Sequence, residues 1–187
     1  MSLPRALRLR AAVQALGAGG IIACPTEAVW GLSCDPENAH AVTRLLKLKQ
    51  RSVDKGLILV ASDESQLFPL LEGLNDQQRK ALSDSWPGPA TWLIPHNGAV
   101  PVWIAGSHDT VAVRVSEHPA VRALCIAWGG PVVSTSANPG GAQPAKAAFQ
   151  VRRYFGNALD GMLPGALGSS TRPTVIRDLV SGGVIRQ

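Results

Sequence analysis

Leu9, Ala12, Val13 and Leu16 fall three or four positions apart and are followed by Gly17, Gly19 and Gly20. Residues 5–18 are therefore predicted as an amphipathic helix that stops at a glycine turn. The apolar run at 21–24 reads as a short strand leading into a polar turn at Pro25, Thr26 and Glu27. The helical period returns over 38–50 through Val42, Leu45, Leu46 and Leu48. A continuous apolar run at 57–61 predicts a fully buried strand. Helices follow at 63–71 and 76–85, the second broken by Trp86-Pro87-Gly88-Pro89. Further strands are predicted at 90–94, 111–115, 132–134, 175–178 and 184–186, with helices at 120–128 and 145–155 among them.

Such alternation predicts an α/β fold, one domain over residues 1–187 whose twisted, mixed parallel and antiparallel sheet is flanked by helices. No Gly/Ser tract, internal repeat or block of like charge marks a linker. A hydrophobic content of 45% supports one core, and a chain of this size buries roughly 70% of its unfolded surface. No apolar stretch approaches the ~20 residues that cross a bilayer, and the first residues lack the apolar segment of a secretory signal. A soluble, cytoplasmic protein without a membrane partner is expected.

The net charge of +5 directs attention to phosphate-bearing partners, nucleotides or nucleic acid alike. Cys24, Cys34 and Cys125 form no C-x-x-C pair and read as reduced, buried thiols. His40, His96, His108 and His118 are scattered without metal-ligand spacing, so surface or capping roles are expected and no protein metal site. There is no G-x-x-x-x-G-K-[ST] loop, no complete dinucleotide fingerprint and no G-x-S-x-G elbow.

What remains are polar clusters beside the predicted strands, where open α/β sheets collect ligands at a common edge. Thr26 and Glu27 sit at the first turn. Lys49-Gln50-Arg51, with Lys55, closes a helix on which Arg44, Lys47 and Arg51 share a face. Alternation puts Thr110, Ala112 and Arg114 on one side of their strand, and an arginine facing a sheet needs an anion. Ser134-Thr135-Ser136-Ala137-Asn138 follows an apolar run, and Thr174 precedes the strand at 175–178. Hydroxyls and guanidinium groups without a histidine base or cysteine nucleophile suit a reaction whose difficulty is anionic charge, such as attack on a nucleotide α-phosphate.

The ordered set PTEAVWGL (25–32), KQR (49–51), WPGPATW (86–92), VAVRVS (111–116), STSAN (134–138) and PTVIRDL (173–179) resembles the YrdC-like threonylcarbamoyl-AMP synthases over nearly the whole chain. The resemblance implies condensation of L-threonine, bicarbonate or CO2 and ATP into threonylcarbamoyl-adenylate and pyrophosphate, with Mg2+ accompanying the nucleotide. By motif it implies that Thr26, Arg114, Ser134 and Thr174 hold threonine. It likewise implies that Lys49, Arg51, Lys55, Thr110, Ser136 and Asn138 surround ATP, with Lys49 and Arg51 catalytic. The implied recipient of the product is a tRNA-modifying threonylcarbamoyl transferase complex, with direct tRNA or duplex-RNA contact also open. Ala28, Trp30 and Thr174-Val175 depart from the family's commoner residues, as do Asp54-Lys55 and Val60, where many members carry Asn-Pro and then histidine. The rival expectations are a non-catalytic duplex-RNA-binding or ribosome-maturation factor, and a carbamoyl-transfer module.

Overall fold

The computed structural model describes residues 5–170 and 174–186, so residues 1–4 and Pro173 of the last motif lie outside the described residues. In chain order the elements are α1 (Arg5–Gly17), β1 (Ile22–Pro25), β2 (Trp30–Ser33), α2 (Ala39–Lys49), β3 (Ile58–Ala61), α3 (Phe68–Leu71), α4 (Asp76–Ser83) and β4 (Ala90–Pro95). They continue with α5 (Val102–Ala105), β5 (Thr110–Val115), α6 (Pro119–Trp128), β6 (Val132–Ser136), α7 (Ala148–Phe155), β7 (Gly161–Met162), β8 (Val175–Asp178) and β9 (Val184–Arg186).

Local chemistry sets the helix ends nearest the polar clusters. Asn38 caps α2 by accepting the Ala41 N–H at 3.0 Å. Gln50 then turns left-handed (φ 51°) and donates its N–H to the carbonyls of Leu46 and Lys47. His118 caps α6 through its ring nitrogen, Pro119 takes the first turn, and Gly129 closes the helix at φ 89°.

Among the described residues, nine strands form one sheet in the order β7-β1-β2-β6-β3-β5-β4-β8-β9. The pairs β1/β7, β3/β5 and β4/β8 are parallel and the remaining neighbours antiparallel, so the mixed α/β sheet expected from the sequence forms.

Because side chains alternate, the strand registers assign every residue to one of two faces. One face carries Leu32, Val133, Leu59, Val113 and Trp92 into the larger core, which Leu45 and Leu46 of α2 complete. The opposite face has two parts. Ile22, Cys24, Val60 and Val132 pack under Leu16 of α1 and Leu124 of α6 in a smaller core. The register pairs Val60 with Arg114 and Ile58 with both Ser134 and Ala112, which puts the polar residues on the same face, next to that smaller core.

Several boundaries differ from the sequence reading. Residues 30–33, read with the polar turn, form β2, because Gly31 and Leu32 pair with Ser136 and Thr135 of a strand distant in sequence. The strand predicted to stop at 134 runs to Ser136 for the same reason. The helix predicted over 63–71 splits into a 3-10 turn (Glu64–Leu67) and short α3. That over 145–155 begins only at Ala148, and α4 ends at Ser83, before the proline segment. Elements α5 and β7, of four and two residues, are too short to leave a periodic signal.

Candidate functional site

The expected common edge is not where the polar clusters meet. Arg114, Thr110, Ser134 and Ser136 lie within β5 and β6 and face outward from the sheet, while Thr26 and Thr174 flank β1 and β8. These polar groups therefore stand on a sheet face that α1 and α6 leave partly uncovered, rather than beyond the strand ends.

Two adjoining clefts occupy that face. The first, about 230 Å³, is lined by Thr26, Glu27, Gly31, Arg114, Ser134 and Thr174 among others. The second, about 250 Å³, has Lys55 and Thr110 beside the apolar Leu93, Ile104 and Ile176. Arg51, Leu57 and Ile58 line both, so Arg51 stands at the junction. A larger open groove of about 640 Å³ lies beside Arg5, Arg8 and His118 and is lined by none of the residues expected to hold threonine or ATP.

The first cleft is held by a buried polar network. Arg114 donates from Nη1 to the Thr174 hydroxyl at 3.1 Å and places Nη2 3.5 Å from Glu27 Oε2. Thr174 and Thr91 share a hydroxyl contact at 3.0 Å, and the Ser116 hydroxyl donates to Glu27 Oε1. Ser116 in turn accepts the His118 N–H at 3.1 Å, and His118 Nε2 meets the Ala166 carbonyl at 3.1 Å. Arg114 and Glu27 are 7% and 3% exposed, so each charge depends on the other to offset its desolvation.

Thr26 closes the β1–β2 hairpin by donating its hydroxyl to the Val29 carbonyl at 2.7 Å. Gly31, mid-strand, keeps the cleft floor open. A Cβ there would lie 3.1 Å from the Thr26 methyl and 3.7 Å from the Ser134 hydroxyl. Residues 163–170 cross beside the hairpin. Gly168 and Ser170 donate to the carbonyls of Thr26 and Glu27, and a Cβ on Gly168 would stand 2.8 Å from the Glu27 carbonyl oxygen.

The second cleft rests on looser elements. Arg51 lies past the end of α2, so it does not continue a helical face with Arg44 and Lys47. Arg44 is committed instead to Asp160 at 2.8 Å and the Ala158 carbonyl. The Arg51 guanidinium reaches the Gly56 carbonyl at 3.0 Å and so braces the exposed 3-10 turn Val53–Lys55.

Lys49 and Asn138 line neither cleft. Lys49 is buried, and its ammonium donates to the carbonyls of Ser136 and Asn138, at 2.9 Å for the latter. Burial, and after it the charge of Arg51, lowers its pKa from 10.5 to about 8. Asn138 accepts from the Ser136 hydroxyl at 2.6 Å and donates to the Ala142 carbonyl at 2.8 Å, which ties the loop after β6 together.

The three cysteines are buried and free, as expected, and burial raises their pKa values to about 11 or 12, so they stay protonated at neutral pH. Among the described residues, no group of three His, Cys, Asp or Glu side chains could hold a metal ion, and no helix is long and apolar enough to cross a membrane.

Sequence reasoning noted Glu27 at the first turn but gave it no binding role, and passed over Ser116 and Thr91. Two of them left a signal: Ser116 has the strand parity of Arg114, and Glu27 is an acid two residues past a buried strand.

The Sua5/YciO/YrdC family model, described as "Telomere recombination", matches residues 14–187. Threonylcarbamoyl-AMP synthase of Marinobacter nauticus is 53% identical over 186 residues, covering 99% of this chain and 98% of that one. The protein of the same name from Cellvibrio japonicus is 51% identical, covering 96% and 95%. The crystal structure of P. abyssi Sua5 complexed with L-threonine superposes with a TM-score of 0.87 at 28% identity, covering 96% of this chain and 53% of that one.

Proposed function

The chain belongs to the Sua5/YciO/YrdC family, and from that premise we propose that it condenses L-threonine, bicarbonate or CO2 and ATP into threonylcarbamoyl-adenylate and pyrophosphate. The observation that carries this is the pair of adjoining clefts with Arg51 at their junction, one bounded by fixed neutral donors and a guanidinium, the other by cations and apolar walls.

Threonine occupies the first cleft, its α-carboxylate on Arg114 and its remaining polar groups on Thr26, Ser134 and Thr174. ATP occupies the second, its base toward Leu93 and Ile176 and its phosphates toward Arg51, Lys55 and Thr110. The amine of threonine, after giving up its ammonium proton to solvent, adds CO2 and releases a second proton to form a carbamate, whose carboxylate attacks the α-phosphate and displaces pyrophosphate. Arg51 meets the negative charge that grows as pyrophosphate leaves. Lys49 adds a cation from beneath and, with Ser136 and Asn138, fixes the loop on which the nucleotide rests.

Magnesium enters with ATP as part of the substrate. The second cleft offers cations and the Thr110 hydroxyl rather than carboxylates, so no step is assigned to the metal. The adenylate then passes, in the cytoplasm, to a tRNA-modifying threonylcarbamoyl transferase complex. Any direct RNA contact we assign to exposed cations of α1 such as Arg5 and Arg10. A purely RNA-binding role accounts for exposed cations but not for the buried cluster of Thr26, Arg114, Ser134 and Thr174 around one cleft.

The test is to incubate the protein with ATP, magnesium, threonine and labelled bicarbonate and seek the adenylate by mass spectrometry, with controls lacking each substrate. Threonine-dependent label in the product is expected. Its absence from folded, ATP-binding protein would sink the assignment.

A further inference from the structure

Glu27 is 3% exposed, lines the first cleft, and holds its two carboxylate oxygens in unequal surroundings. Oε1 accepts the Ser116 hydroxyl. Oε2 stands 3.5 Å from Arg114 Nη2 and accepts no hydrogen bond among the described residues. A buried carboxylate oxygen in that position is costly until a donor reaches it. The cleft also places the Arg114 guanidinium beside it, so a positive and a negative group face one small cavity. That arrangement matches an α-amino acid, whose carboxylate and ammonium sit on one carbon.

We propose that Glu27 is a specificity-determining residue, with Oε2 accepting the α-ammonium of the amino acid while Arg114 takes its carboxylate. This rests on the assignment of threonine to the first cleft. Selection follows from charge. A carboxylic acid without the amine meets an Arg114 already partly neutralised by Glu27 and gains nothing from Oε2, whereas the zwitterion pairs with both.

An orienting role for Glu27, limited to holding Arg114, predicts something different: every carboxylate ligand would then depend on it equally. Glu27→Gln keeps the shape and removes the charge, so the two roles move a ligand lacking the amine in opposite directions.

The experiment is calorimetric titration of L-threonine and of 3-hydroxybutyrate, which is threonine without its amine, into the wild type and into Glu27→Gln, Ser116→Ala and Arg114→Ala. In Glu27→Gln the affinity for threonine should fall roughly 10- to 100-fold, the range of one hydrogen bond to a charged group. The affinity for 3-hydroxybutyrate should hold or rise. Ser116→Ala, which frees Oε1 without touching the cleft lining, should show a smaller loss confined to threonine, and it carries the test if Glu27→Gln melts early. Equal weakening of both ligands would overturn the ammonium contact and leave Glu27 as a support for Arg114. If Arg114→Ala leaves threonine binding intact, the assignment of the cleft itself fails, and the Glu27 proposal with it.

Discussion

The two clefts share Arg51 but are built differently. In the first, Arg114 and Ser134 project from central strands, Thr26 and Thr174 flank strand ends, and all four are at most 9% exposed. In the second, Arg51 and Lys55 sit on a helix end and a 3-10 turn, and Lys55 is exposed. Under the proposed assignment, the difference follows from what each cleft would recognise. A small amino acid offers few contacts, so its donors must be desolvated and already in place. A polyphosphate carries enough charge to be held by cations that solvent partly screens.

The largest expected effect tests the buried side. Arg114→Ala leaves the Glu27 carboxylate buried without its cation, and loss of one partner of such a pair costs about 3–5 kcal/mol. Urea denaturation should show that loss of stability, and titration should show threonine binding gone while ATP binding persists. Unchanged stability would mean that the pair does not hold the cleft together.

Arg51→Ala should do the reverse. Turnover falls about 10²-fold, the usual effect of removing one group that stabilises developing charge, while the midpoint of unfolding moves little because the turn that Arg51 braces is exposed. A large stability loss would erase the contrast between the clefts.

The smallest effect comes from Lys49, which lies beneath the junction. An unfolded lysine keeps its proton to about 10.5, whereas the folded chain releases that of Lys49 at about 8. Between those values the folded state binds fewer protons, so stability rises with pH across the window, and below it the buried charge costs stability. Unfolding free energy of the wild type relative to Lys49→Met should therefore increase from pH 8 to 10.5. Turnover should decline over the same range as the cation is lost. A flat difference would place Lys49 at an ordinary lysine pKa.

Much of this was legible along the chain. The α2 helix carried its cap at Asn38 and its apolar stripe at Val42, Leu45 and Leu46, and the parity of Thr110, Ala112 and Arg114 predicted their shared face. The first cleft gathered the residues expected to hold threonine: Thr26, Arg114, Ser134 and Thr174 line it together. Less legible were the placements of Lys49 and Asn138. Their residue types suit a phosphate site, but their hydrogen bonds go to the loop after β6, and no local pattern announces a partner nearly 90 positions away.

Periodicity and residue type act over a few positions, so they were enough to determine most of the elements, the α/β class and the polar groups available for chemistry. Which groups meet depends on strand order. Only the tertiary structure decided that β6 lies between β2 and β3, that residues 30–33 form a strand, and that Ser116 and Glu27, 89 positions apart, share a proton contact. Those pairings come from burying one sheet face completely and the other in part, a cooperative packing result that no single segment encodes.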